Sequence, residues 1–125
     1  MLERKENIIL NKSEDFSDRM VLLYQYLIEK KNEHIISKQI YRSGTSIGAN
    51  IAESKFAQSR PDFINKLSIA LKEANETEYW LKRLYNGHYL TQYQYDSLFN
   101  DIDSIISILT KIVKTLKEQQ KTLSS

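Results

Sequence analysis

The chain has 125 residues, of which 41% are hydrophobic and 27% are charged, so its composition is that of a single globular domain and not of a disordered segment. It contains no cysteine, which excludes disulfides and thiolate metal sites, and its formal net charge of +2 does not by itself indicate a nucleic-acid-binding protein. No apolar run approaches the roughly 20 residues that span a bilayer, and the first six residues lack a signal-peptide pattern, so we expect a cytoplasmic location without membrane contact.

The first predicted helix covers residues 13–31, and residues 1–12 before it are predicted to form a loosely held arm. Ser13 is a suitable N-cap, because its hydroxyl oxygen can accept from an unpaired amide of the first turn. Apolar side chains then recur at the spacing of one helix face. They are Phe16, Met20, Leu23 and Leu27, with Val21, Tyr24 and Ile28 on one flank.

The second and third predicted helices cover residues 36–57 and 60–86. Ser59 is a good cap for the third helix, and Pro61 stands in its first turn, where a missing N–H costs little. The pair Asn86-Gly87 is typical of a left-handed helix end.

The fourth predicted helix covers residues 92–118, and Thr91 with Gln94 forms a capping box at its start. Residues 118–125 are predicted to be a loose end. Four long amphipathic helices with short connections predict an all-α, antiparallel up-down-up-down four-helix bundle that occupies residues 1–125 as one domain.

The second helix carries a stripe of small residues, Gly44, Gly48 and Ala52, each four positions from the next. Glycine within a helix costs about 0.5–1 kcal/mol relative to alanine, so a compensating contact is expected. The stripe therefore predicts either close packing against a neighbouring helix or a subunit contact or ligand-approach surface.

A carboxylate, Glu78, falls on the predicted inner face of the third helix, where a lone charge is expensive. Arg42 and Asn50 on the second helix are its candidate partners, and the three are predicted to form a structural polar network. A catalytic carboxylate is the alternative interpretation. Neither His34 nor His88 follows a glutamate by three residues, so we expect no di-iron site of the bundle type and no other metal site or cofactor.

Two surfaces of the predicted bundle have a possible binding role. Lysines on one flank of the fourth helix form either a solvated face or a phosphate-binding stripe: Lys111, Lys114, Lys117 and Lys121. Tyrosines near the predicted third turn either cover the end of the core or form a base-stacking surface: Tyr85, Tyr89, Tyr93 and Tyr95.

Two long runs of the sequence resemble the signatures of a bacterial four-helix-bundle family. These are SKQIYRSGTSIGANIAE at residues 37–53 and the segment at residues 62–81, which includes ALKEA and ETEYWL. The family comprises proteins encoded within intervening sequences of bacterial 23S rRNA genes, and it is similar to the accessory variability proteins of diversity-generating retroelements. The resemblance extends from about Phe16 to about Leu116.

The resemblance implies a ring-like homopentamer and, in the retroelement branch, binding of nucleic acid and of a reverse transcriptase. The flank of Val21, Tyr24 and Ile28 gives an independent reason to expect a homo-oligomer, because it adds apolar surface to the core stripe. We therefore expect a non-catalytic oligomeric protein that binds RNA or DNA through phosphates. The alternative is an oligomeric scaffold for a protein partner such as the reverse transcriptase. No base, nucleophile or metal set points to an enzyme or to a small-molecule substrate.

Overall fold

The computed structural model describes residues 4–124, and these form four α-helices joined by short turns. The helices are α1 (Arg4–Lys31), α2 (Ile36–Ser54), α3 (Arg60–Asn86) and α4 (Gln92–Ser124). The predicted all-α four-helix architecture is confirmed. Its core lies at the centre of the bundle and is mostly aliphatic, with Phe16, Met20, Ile47, Leu81 and Ile105 among its buried side chains.

Consecutive helices contact each other in opposite sequence directions, so that residue numbers rise along one helix as they fall along the next. The contact pairs are Met20–Gly44 and Ser17–Gly48 for α1 with α2, Arg42–Glu76 and Glu53–Lys66 for α2 with α3, and Tyr85–Tyr95 and Arg60–Gln119 for α3 with α4. Arg19 of α1 reaches Asp101 of α4 and closes the bundle. Each helix thus packs antiparallel to the one that follows it.

The predicted N-terminal arm is wrong over residues 4–12, which belong to α1; residues 1–3 lie outside the described residues. Ile9 and Leu10 are buried in the core, and burial of apolar surface favours the helix there. Ser13 is not an N-cap but a fully buried mid-helix residue, whose hydroxyl donates to the carbonyl of Leu10 at 2.9 Å.

The predicted loose C-terminal end is also helical over residues 118–124, because α4 continues to Ser124; residue 125 lies outside the described residues. No glycine or proline follows Gly87 to interrupt it. The last turns of α4 extend beyond the core, and residues 117–119 and 121–123 there are exposed.

The α2–α3 turn and the start of α4 follow the predicted capping patterns. The Ser59 hydroxyl accepts from the Asp62 amide at 3.2 Å. Thr91 and Gln94 exchange two hydrogen bonds, of 2.9 Å and 3.2 Å, in the predicted capping box. The second helix ends at Ser54 and not at residue 57, because the next amides bond three residues back and tighten the chain into a turn.

The α3–α4 turn differs from the prediction in the position of its left-handed residue. Gly87 has a φ of −82°, whereas His88 takes the positive φ of 67°. The amides of His88 and Tyr89 donate to the carbonyls of Tyr85 and Leu84, which satisfies the last carbonyls of α3.

The α1–α2 connection is built on Glu33, a buried residue in the turn between the two helices. Its carboxylate accepts from the backbone amides of Ile35 at 3.1 Å, Ile36 at 2.9 Å and Ser37 at 2.6 Å. Burial by itself would raise the pKa of Glu33, but these amide bonds outweigh it and hold that pKa below its ordinary value of 4.5. Glu33 therefore caps α2 in its charged form.

The small-residue stripe of α2 faces α1. A Cβ added to Gly44 would lie 2.5 Å from Cγ and 2.6 Å from Sδ of Met20. A Cβ on Gly48 would lie 3.2 Å from the hydroxyl oxygen of Ser17. Ala52, partly buried, packs against the same core. Of the two interpretations of this stripe, the geometry at Gly44 and Gly48 is that of close helix packing within one chain.

The seam between α2 and α3 contains one buried hydroxyl pair. The hydroxyl oxygens of Ser43 and Thr77 lie 2.9 Å apart, and both residues are fully buried. Their neighbours along the seam are aliphatic, among them Ile40, Ile47 and Ala74. Each hydroxyl also has a carbonyl partner on its own helix, Glu73 at 2.8 Å for Thr77 and Ile40 at 3.4 Å for Ser43, so both polar groups are satisfied within the core.

Candidate nucleic-acid interface

The lysine stripe of α4 consists of Lys111, Lys114, Lys117 and Lys121, and all four side chains are exposed. The buried residues Leu109, Ile112 and Val113 direct the opposite face of the helix into the core. Between the first and last lysine the helix rises about 15 Å. Within residues 4–124 none of the four lysines forms a salt bridge, so their charges are available to an anionic ligand.

Charge is separated along the exposed surface of α4. The first half carries the exposed acids Asp96 and Asp103, whereas the second half carries the lysine stripe with Glu118 as an acid among its cations. The guanidinium of Arg60, at the start of α3, donates to the Gln119 side chain at 2.6 Å and so adds a cation beside the stripe. The end of the bundle where α4 terminates is consequently basic.

The predicted network of Arg42, Asn50 and Glu78 is not formed. Arg42 instead pairs with Glu73 at 3.0 Å and with Glu76. Glu78 lies two residues beyond Glu76 in the sequence. Two residues correspond to a rotation of about 200° around the helix axis, so Glu78 faces away from α2. The Asn50 side chain donates to the carbonyl of Ser46 on its own helix at 2.8 Å.

The ion pairs of Arg42 with Glu73 and Glu76 are exposed to solvent. The Arg42 side chain is 50% exposed, so solvent screens both ion pairs. Glu76 also accepts from the Trp80 indole at 2.9 Å, which holds this carboxylate on the outer surface of the α2–α3 pair. The arrangement is therefore a surface ion-pair network and not a buried charge pair.

Glu78 lines a groove between α3 and α4 with a volume of about 420 Å³, which we call the α3–α4 groove. Its lining residues are Asn75, Glu78, Tyr79, Lys82, Arg83, Tyr95 and Phe99. Tyr95 belongs to the tyrosine cluster noted in the sequence, but the structure divides that cluster. Tyr85 and Tyr95 stack with ring centroids 4.5 Å apart, whereas Tyr93 lines a different groove, between α1 and α4.

The α3–α4 groove combines cations with aromatic faces. Lys82 Nζ lies 5.5 Å from the ring centroid of Tyr95, and the guanidinium carbon of Arg83 lies 4.8 Å from that of Tyr79. Burial raises the pKa of Tyr95, and the charge of Glu78 raises it further. The Tyr95 phenol therefore remains a hydrogen-bond donor well above neutral pH.

The α1–α4 side of the bundle is joined by Arg19, which the sequence analysis did not single out. Its guanidinium donates to Asp101 Oδ2 at 2.5 Å and to Ser97 Oγ at 3.0 Å. Beside it lies an apolar groove of about 250 Å³, which we call the α1–α4 groove. Leu22 and Tyr93 on its walls are 65% and 83% exposed.

Residues 4–124 contain neither a cluster of metal-ligating side chains nor a helix that could span a membrane. In this part of the chain no three His, Asp or Glu side chains are grouped so as to hold a metal ion. His34, an exposed residue, contacts the Asn32 side chain at 2.6 Å. None of the described helices combines the length and apolar character required to cross a bilayer.

The fold and surface define a four-helix-bundle protein with a basic end, and comparison with known proteins gives its family. Residues 5–111 match the model of the 23S rRNA-intervening sequence proteins, and the chain belongs to this family. The match ends at Lys111, so the rest of the lysine stripe lies beyond the matched segment.

A solved structure of the same fold comes from Bacteroides thetaiotaomicron and is described as a protein of unknown function from the S23 ribosomal protein family. It is 55% identical to this chain, with a TM-score of 0.86, over 88% of this chain and 98% of its own. No curated protein matches the sequence.

Proposed function

We propose that this protein is a non-catalytic, cytoplasmic homo-oligomer that binds RNA through phosphate contacts. The observation that carries the proposal is the lysine stripe of α4, which places four exposed cations along about 15 Å of one helix. We take RNA as the nucleic acid to test, since the family is named after an intervening sequence of rRNA. Lysine contacts phosphate as a point charge, so binding is expected to tolerate many sequences.

Changing Lys111 and Lys114 together to glutamate is expected to weaken RNA binding by at least about tenfold. A plot of log affinity against log salt concentration has a negative slope, and each lost phosphate contact should reduce the magnitude of that slope by about 0.7–0.9. The measurement is fluorescence anisotropy of a labelled RNA over a salt series. Both side chains are exposed, so the helical circular dichroism signal should be retained.

The matched control replaces Lys38 and Lys72, two exposed lysines on other helices, by glutamate. This control makes the same change in net charge and should retain most of the affinity. Equal losses in the two double variants would show that only overall charge matters. A parent protein that binds no RNA at low salt would reject the proposal.

Homo-oligomerisation is supported by an apolar surface shared by α1 and α2. Tyr24 and Tyr41 contact each other with ring centroids 5.0 Å apart, and Val21 and Ile28 lie one turn to either side of Tyr24 on α1. Val21 is 37% exposed and Tyr41 is 38% exposed. Contiguous exposed apolar residues of this kind are typical of subunit interfaces. A ring of subunits would repeat the lysine stripe and strengthen weak phosphate contacts through multivalency.

Val21→Glu is expected to dissociate the oligomer, because it places a charge in the apolar interface. Light scattering coupled to size-exclusion chromatography measures the mass; a pentamer is expected for the parent from the family resemblance and a monomer for the variant. Leu22→Glu, on the neighbouring α1–α4 side, should leave the mass unchanged. A parent that is monomeric at micromolar concentration would contradict this part of the proposal.

A scaffold for a protein partner, such as a reverse transcriptase, is the second candidate function. The observation that favours it is the α1–α4 groove, in which Leu22 and Tyr93 are largely exposed on apolar walls. RNA binding that is absent at low salt, together with a partner interaction that Leu22→Glu abolishes, would favour this candidate.

A further inference from the structure

We infer that the α3–α4 groove binds an unpaired nucleobase of single-stranded RNA, with Lys82 and Arg83 placed for the flanking phosphates. The inference rests on the proposed RNA-binding function and adds a second site to the lysine stripe. Tyr95 and Lys111 are sixteen residues apart, or about 24 Å along α4. The two sites can therefore be tested independently.

The aromatic wall of the groove is a series of rings along α3 and α4. Tyr85 stacks on Tyr95 at 4.5 Å with an interplanar angle of 24°, and Tyr95 stacks on Phe99 at 5.8 Å and 27°. Tyr79, also in the groove, is 52% exposed. Stacking of one base on the exposed ring of Tyr79, at the end of this wall, contributes roughly 5- to 150-fold in affinity and tolerates any base, because every base has a π face.

The two cations of the groove form no salt bridge with the Glu78 carboxylate that lines it. In the part of the chain that the structure describes, neither Lys82 nor Arg83 forms a salt bridge. Both rest instead on ring faces, Lys82 on Tyr95 and Arg83 on Tyr79. Basic side chains interleaved with aromatic faces are the common arrangement in proteins that bind single-stranded nucleic acids.

The polar groups of the groove distinguish the base from the phosphate. The Glu78 carboxylate lines the groove, and it repels a phosphate but accepts from the amino group of a base. The Asn75 amide nitrogen is committed to the carbonyl of Leu71 at 3.2 Å, which leaves its oxygen as a second acceptor. The groove volume of about 420 Å³ lies within the range of ligand pockets. Bases with an exocyclic amino group should therefore bind better than uracil.

Tyr95→Leu tests the site, since leucine keeps an apolar side chain but removes the central ring of the aromatic wall. The probes are tetranucleotides of cytidine and of uridine, measured by isothermal titration calorimetry at low salt. We expect Tyr95→Leu to weaken cytidine tetranucleotide binding about tenfold. Tyr95→Phe should bind the cytidine tetranucleotide with an affinity within about twofold of the parent, because phenylalanine keeps the aromatic ring. Tyr93→Leu, on the same helix but in the α1–α4 groove, should have no effect.

A second variant covers the case in which Tyr95→Leu does not fold. Lys82→Ala changes an exposed side chain and should weaken tetranucleotide binding several-fold, whereas Lys72→Ala on the same helix should not. Equal affinities for cytidine and uridine tetranucleotides would overturn the role assigned to Glu78. Equal effects of Tyr95→Leu and Tyr93→Leu would overturn the site itself.

The lysine-stripe variant separates this inference from the proposed function. If the affinity for longer RNA falls in the double variant Lys111→Glu with Lys114→Glu but not in Tyr95→Leu, the stripe binds RNA and the groove does not. If that affinity falls only in Tyr95→Leu, the groove is the RNA site and the stripe is not. A parent protein that binds neither RNA nor tetranucleotides would reject both.

Discussion

Gly44→Val is expected to lower the free energy of unfolding by about 2–3 kcal/mol. Even a Cβ at this position would lie 2.5 Å from Met20 Cγ, and Met20 is fully buried, so the side chain has no solvent into which to move. Replacing a helix glycine also increases helix propensity, which stabilises the protein by at most about 0.5–1 kcal/mol, the value for alanine. The loss of stability from the clash should exceed this gain. Urea unfolding at one fixed protomer concentration measures the effect, because oligomerisation also contributes to stability.

The matched control for Gly44→Val is Ala49→Val, an exposed position on the same helix. It introduces the same β-branched side chain and should cost only the difference in helix propensity, below about 1 kcal/mol. Met20→Ala combined with Gly44→Val should recover part of the loss, because the smaller side chain vacates the space that valine requires. Strictly additive effects of the two changes would contradict a direct clash between them.

Glu33→Ala is expected to destabilise the protein by about 2–3 kcal/mol at neutral pH, because three amides at the start of α2 lose a charged acceptor. The pKa of Glu33 is lowered in the folded state, so its stabilisation is complete above the unfolded value near 4.5. It is lost as the pH falls through the lower, folded-state pKa. The difference between parent and variant should therefore shrink in acid.

Urea unfolding at pH 7 and at pH 3 measures this pH dependence. Glu29→Ala, an exposed glutamate near the end of α1, is the control and should change stability little at either pH. A stability difference for Glu33→Ala that is equal at both pH values would show that the carboxylate charge is not what caps α2.

Contacts between near neighbours in the sequence were the most predictable part of the structure. Ser59 with Asp62 and Thr91 with Gln94 are each three residues apart, so helix geometry alone brings the side chain to the amide. Glu33 uses the same chemistry but was not predicted, because glutamate is not a usual N-cap residue and Glu33 lies between the first two predicted helices.

The position of Ser13 explains why the first part of α1 was predicted as an arm. Ile9, Ser13, Phe16 and Met20 share one face of the helix, and Ser13 interrupts its apolar pattern. The hydroxyl is tolerated in the core because it bonds to the carbonyl of Leu10. A buried serine thus resembled a helix cap in the sequence.

Contacts between distant segments could not be derived from spacing. Arg19 reaches Ser97 and Asp101 across 78 and 82 residues, and nothing local in the sequence links them. The Arg42 prediction identified the correct neighbouring helix but the wrong face of it, since the choice among Glu73, Glu76 and Glu78 depends on how α3 is rotated about its axis. The α3–α4 groove depends on the same rotation, which places Glu78 beside Tyr95.

The hydroxyl pair of Ser43 and Thr77 has a consequence for how uniquely this sequence folds. Aliphatic helix faces can slide past each other by one turn and still bury similar area, so apolar packing alone specifies alignment weakly. A one-turn slip of α2 along α3 would break the bond between these two buried hydroxyls, and each would keep only the carbonyl of its own helix, Ile40 for Ser43 and Glu73 for Thr77. The lost hydrogen bond would cost about 0.5–1.5 kcal/mol. Together with the ion pairs of Arg42 and of Glu53 between the same helices, this contact favours one alignment of α2 and α3, on which the position of the α3 side of the aromatic groove depends.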